Sequence, residues 1–120
     1  MDFSDADECW MSGWGTTDLR YSPSDNLMEA KTKIIDEQTC SSFMDPKQAK
    51  MQSHHLCAGG MDSTVANACK GDSGGPLSCR KGQHWFAAGI YSWSYTEDCR
   101  PSIFVKLSSY RNWIRTITKI

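Results

Sequence analysis

The chain has 120 residues, with 13 basic and 14 acidic side chains and a formal net charge of −1, which is enough for one small domain with its own core. So even a balance points neither to nucleic acid nor to an anionic membrane surface as a partner, and no apolar run reaches the length of a membrane span. Six cysteines without the paired Cys-x-x-Cys spacing of zinc sites favour disulfides, and hence an oxidising compartment, over reduced thiols.

Residues 1–8 are acidic and polar and lack the basic start and apolar run of a secretory signal peptide. They read as a loose linker. A chain that asks for oxidation but carries no export signal is most simply a piece of a longer secreted protein. Cys9-Trp10-Met11-Ser12-Gly13-Trp14-Gly15 alternates apolar and small residues into a glycine turn, which predicts a strand. Thr16 to Asn26 is a surface loop by composition. Leu27 to Ile35 predicts one strand, with Met28, Ala30, Thr32 and Ile34 on one face and Glu29, Lys31 and Lys33 on the other. Asp36 is placed to cap a short helix running through Cys40 and Phe43 by accepting free N–H groups of its first turn.

His54-His55-Leu56-Cys57-Ala58-Gly59-Gly60 predicts another strand. Adjacent strand side chains point to opposite faces, so the two imidazoles are expected to share neither a metal nor a catalytic site and to be surface or packing residues. His84 reads as a strand-edge residue. His84 to Trp93 predicts a long buried strand, and Ile103-Phe104-Val105-Lys106-Leu107 another. From Ser108 to Ile120, Tyr110, Trp113, Ile114 and Ile117 recur at helical spacing, which predicts a terminal helix packed on the domain. No internal repeat or low-complexity segment occurs.

Chemistry concentrates in Cys69-Lys70-Gly71-Asp72-Ser73-Gly74-Gly75-Pro76-Leu77. Glycines on both sides of Ser73 open backbone conformations closed to other residues and let a substrate carbonyl come close. Ser73 is the candidate nucleophile, and the backbone N–H groups of Gly71 and Ser73 are placed to stabilise the charge that develops on an attacked carbonyl oxygen. The plain alternative is a surface turn of Gly, Ser and Pro.

Gly71-Asp72-Ser73-Gly74-Gly75-Pro76 resembles the signature around the catalytic serine of the trypsin and chymotrypsin-like serine proteases. Cys9-x-x-x-Gly13-Trp14-Gly15 is similar to that family's entry into its second barrel, and the resemblance continues to the terminal helix. It implies an all-β fold over residues 9–120, a six-stranded antiparallel Greek-key barrel with a C-terminal α-helix, which is one half of the two-barrel enzyme. It also implies disulfides joining Cys9 with Cys79, Cys40 with Cys57 and Cys69 with Cys99, where cysteine spacing alone leaves many pairings open. Asn67 falls where an aspartate would select Lys or Arg, so a cationic side chain finds no ion pair. Ser92-Trp93-Ser94 is similar to the strand that pairs with substrate backbone, with Ser94 in place of the usual glycine. Ser102 after Pro101 replaces another glycine, and only Arg100 separates Cys99 from Pro101. A narrowed, neutral pocket favouring small or no side chains is expected, unless these side chains tilt outward and leave the pocket ordinary. The resemblance implies no metal and no cofactor.

A serine hydroxyl needs a base to take its proton and a third group to hold that base. In the family both come from the first barrel, and neither segment is found among these residues. The new amino terminus that pairs with the aspartate before the serine is also missing, so Asp72 is expected to lack its usual partner. Two functions remain. One is the C-terminal half of a secreted serine endopeptidase, cleaving peptide bonds through an acyl-enzyme on Ser73 but inactive without the missing N-terminal barrel. The other is a non-catalytic module that binds protein partners through the barrel face left bare.

Overall fold

In the computed structural model, residues 2–15, 24–60, 67–69, 71–96 and 99–120 are described. They form seven strands: β1 (Glu8–Gly13), β2 (Met28–Thr32), β3 (Ile34–Ile35), β4 (His55–Ala58), β5 (Pro76–Lys81), β6 (His84–Ser94) and β7 (Ser102–Lys106). A short helix α1 (Glu37–Ser42) follows β3, and a 3-10 turn (Leu107–Tyr110) leads into α2 (Arg111–Thr118). The strands make one antiparallel sheet in the order β2-β1-β5-β6-β7-β4-β3.

The two outermost strands of that order are consecutive in the chain, which explains how the sheet curls. Thr32 pairs with Cys9 of β1 and Ile34 with Ala58 of β4, while the intervening Lys33 carbonyl accepts from Gly59 N–H at 2.9 Å. The single strand expected over 27–35 therefore turns a corner and serves both edges of a curled half-barrel, which accounts for seven strands where six were expected. The alternation itself holds from Ala30 onward: Thr32 and Ile34 are buried, Lys31 and Lys33 exposed. Met28, at the open end, is exposed. β5 was not read as a strand from the sequence, although Leu77 and Cys79 point inward and Pro76 and Arg80 outward.

Leu77, Phe104, Cys9, Cys79 and Ala58 are completely buried and form the main core with Met11, Ala88 and Tyr91. A second cluster gathers Cys40, Met44, Met51, Cys57 and Ile103 under α1. The disulfides join Cys9 to Cys79, Cys40 to Cys57 and Cys69 to Cys99.

Three expectations need correction. β6 is not buried along its length: His84, Trp85 and Ala87 are exposed, and burial begins at Ala88. The reason is that β7 pairs with β6 only from Gly89 onward, so the first half of β6 has a neighbour on one side alone. Helix α2 buries none of its residues, and Trp113 and Ile117 are 63% and 64% exposed. A helical apolar period records a face that wants a partner, and says nothing about where that partner is. The two histidine rings also do not diverge. His54 precedes β4, so strand alternation does not govern it, and the rings lie 4.2 Å apart between centroids. Each packs edge-on against another aromatic, His54 on Tyr110 and His55 on Trp93.

The segment before β1, expected as a loose linker, lies against the barrel. Phe3 packs on the main core near Phe86, and Asp7 pairs with Lys81 at 3.0 Å. The surface loop expected over 16–26 falls outside the described residues except for its last three.

Asp36 caps α1, accepting from Thr39 N–H at 2.8 Å and from the Thr39 hydroxyl. These bonds, the backbone one foremost, hold its carboxyl below the ordinary range, so the cap stabilises the fold above the unfolded carboxylate's titration and is lost as pH falls through the lower folded value. Asp36→Ala is therefore expected to remove part of the acid-range slope of stability while changing little of the slope above pH 6, as read from denaturation midpoints against pH.

Candidate active site

The serine turn is held by two sets of backbone bonds. Asp72 N–H donates to Cys69 O and Gly75 N–H to Asp72 O, each at 2.9 Å. Across the sheet, Gly74 N–H donates to Tyr91 O at 3.0 Å and Tyr91 N–H to Gly75 O at 2.9 Å. Gly71 and Gly74 sit at φ of +93° and +83°, the left-handed region that favours glycine. Ser73 thus stands between two forced backbone reversals at the head of β5. It is exposed, and among the described residues nothing accepts from its hydroxyl.

Asp72 points away from Ser73 and towards the end of β1. Its Oδ1 accepts from Gly15 N–H at 2.9 Å and its Oδ2 from Cys69 N–H at 3.0 Å. Expected without its usual partner, the carboxylate is bonded instead to two backbone donors. This contact explains the Gly13-Trp14-Gly15 turn. A Cβ at Gly13 would lie 2.0 Å from Asp72 Oδ1, and one at Gly15 would lie 2.5 Å from both Cγ and Oδ2.

Beside this turn the structure brings Asn67, Ser94 and Ser102 together around the Ala68 carbonyl. Ser102 is fully buried and donates to Ala68 O at 3.1 Å, with Asn67 Oδ1 at 3.4 Å. Ser94 donates to the same carbonyl at 3.4 Å. Asn67 engages Gly60 at both ends of its amide, Nδ2 donating to the carbonyl at 3.1 Å and Oδ1 accepting from the N–H at 3.3 Å. Both serine side chains turn inward.

The sequence reading missed Tyr91, whose hydroxyl is bonded to Ser94 Oγ. Its ring is buried against Phe104, with centroids 5.6 Å apart. Burial pushes the Tyr91 phenol up, and the Asp72 charge adds to the shift against the opposing Ser94 bond. Its one sequence signal was a hydroxyl-bearing ring in an otherwise apolar run. Ser92 is exposed at a register irregularity between Tyr91 and Trp93, and Trp93 is half-buried against His55.

No imidazole of the chain is positioned to take the Ser73 proton. Pro76, Ile90, Val105 and His55 form one row across the sheet, so three inter-strand steps, roughly 14 Å along the sheet, separate His55 from the strand that Ser73 leads. His55 Nδ1 is already accepting from Gln52 N–H at 2.9 Å. His54 lies against Tyr110. His84 pairs with Lys81 at the far end of β6, seven residues from Tyr91 and so roughly 23 Å away along the strand.

An antiparallel half-barrel presenting an exposed serine between two glycines of positive φ is the architecture of one barrel of a trypsin-like serine protease, and the family model for trypsin matches residues 2–114. The chain belongs to the trypsin family. It is 35% identical over 119 residues to human serine protease 41, a match covering 92% of this chain and 36% of that protein. It is 36% identical over 111 residues to bovine coagulation factor XI, covering 89% of this chain and 17% of that protein. The chain thus spans about a third and about a sixth of the lengths of these two relatives.

Proposed function

We propose that residues 9–120 are the second barrel of a serine endopeptidase domain and supply its nucleophile, while the base and its orienting acid come from a first barrel outside these 120 residues. The observation that carries the proposal is the Ser73 turn, exposed and clamped from below by Asp72, with no histidine of the chain beside it. In the complete site, Ser73 Oγ bonds to the scissile carbonyl carbon as the first barrel's imidazole takes its proton. The Gly71 and Ser73 N–H groups stabilise the resulting oxyanion, and the C–N bond breaks as the imidazole returns that proton to the leaving amine. Water then releases the acyl group by the same steps. Ser92, Trp93 and Ser94 hold the substrate backbone, and Asn67, Ser94 and Ser102 line the pocket for the residue ahead of the cleaved bond. The substrate is a protein or peptide, and no cofactor is required.

Three disulfides suit an oxidising, extracellular setting, and among the described residues no helix is long and apolar enough to cross a membrane. The exposed Trp113 and Ile117 of α2 favour a second reading, in which the chain is a non-catalytic module that binds a protein partner through this bare face.

Purified residues 1–120 are expected to show no turnover of an activated ester above that of the Ser73→Ala variant. Hydrolysis that disappears in Ser73→Ala would mean that the chain carries its own base, contrary to this account.

A further inference from the structure

We infer that Tyr91, tied to Ser94, fills the recess beside Ser73, so that the site takes a residue with a small side chain, or none, on the acyl side of the cleaved bond. The inference rests on the reading of Asn67, Ser94 and Ser102 as pocket lining and adds a residue which that reading did not contain. Tyr91 is bound through its backbone to both Gly74 and Gly75, the two residues after the nucleophile. Its side chain runs inward from that point rather than to solvent, 7% exposed and packed with Ala68 and Phe104 in the main core. The hydroxyl ends on Ser94 Oγ, which also reaches the Ala68 carbonyl. Ser102, completely buried, reaches the same carbonyl from another strand.

The polar groups around the ring are therefore bonded to one another. A long side chain entering here would have to displace an aromatic ring and leave Ser94 without that partner, at a cost it does not recover. A methyl group or hydrogen has no such cost. Discrimination in a packed recess runs at about tenfold or more for each methylene that does not fit.

The test is a titration of the 15N-labelled 120-residue chain with tetrapeptides ending in a free carboxylate, as cleavage products do, identical except for Ala, Leu or Phe as the last residue. The wild-type chain is expected to bind the Ala peptide about tenfold or more tightly than the Phe peptide. Tyr91→Phe keeps the ring and is expected to keep that preference, whereas Tyr91→Val opens the recess and reverses it. A purely structural tyrosine would weaken all three peptides alike. Equal binding of the Ala and Phe peptides by the wild-type chain overturns the inference, and if Tyr91→Val does not fold, the wild-type and Tyr91→Phe ratios decide it. Binding of none of the peptides contradicts the peptide-site reading itself, and the inference falls with it; binding without size preference overturns the inference alone.

Discussion

Asp72→Ala is expected to lower the melting temperature by roughly 10 °C or more, and to do so through the end of β1 rather than through the serine. The carboxylate accepts from Gly15 N–H and Cys69 N–H, and Gly15 is buried, so truncation leaves a donor that water does not readily reach. Bonds to a charged acceptor contribute about 1.5–3 kcal/mol each; two of them give about 3–6 kcal/mol, and a domain of this size loses roughly 3–6 °C per kcal/mol. The same geometry predicts a specific coupling. Gly15→Ala alone places its Cβ 2.5 Å from the carboxylate and should be destabilising by about 1–3 kcal/mol. In the double variant the clash has no carboxylate to meet, so its cost should be less than the sum of the two. Thermal melts of the four proteins check this; strict additivity, or a loss under about 2 °C for Asp72→Ala, would contradict the clamp.

The second large effect lies in the disulfides. Cys9–Cys79, Cys69–Cys99 and Cys40–Cys57 close chain separations of 70, 30 and 17 residues. On the chain-entropy account, removing the first should cost about 4 kcal/mol and the last about 3 kcal/mol. Cys9 and Cys79 also face each other in register between β1 and β5 and are completely buried, so replacing both by alanine removes packing at the centre of the sheet as well. Guanidinium denaturation of the three double-alanine variants is expected to rank Cys9/Cys79 lowest in stability and Cys40/Cys57 highest. The reverse order would mean that local packing, not loop closure, governs what these bridges contribute.

Much of this was legible in the sequence, and the exceptions share a cause. The β1 strand, the Asp36 cap and the alternation from Ala30 to Ile34 follow from local rules of side-chain direction and backbone satisfaction, and the family resemblance implied the cysteine pairs that the structure contains. What local rules do not contain is where a partner lies. A strand period cannot tell that the chain turns at Lys33 to serve both edges of one sheet. A helical stripe cannot tell that Trp113 and Ile117 meet no core in these residues. An apolar run ending in Ser-Trp-Ser does not show that the Tyr91 hydroxyl meets Ser94 three residues on, because the register irregularity between Tyr91 and Trp93 depends on how β6 pairs with β7. The Asp72 contact was half legible: its place before Ser73 was recognised, but the glycines it requires lie 57 and 59 residues earlier, as Gly15 and Gly13.

The central claim is that Ser73 is the nucleophile of a protease site whose base lies outside these 120 residues. The most direct measurement is the intact mass of the endogenous protein before and after a fluorophosphonate that labels activated serines, with the label mapped by peptide analysis. The account predicts a species much heavier than 120 residues can supply, carrying one label, on Ser73. An unlabelled protein, or a labelled species of only this length, would contradict it.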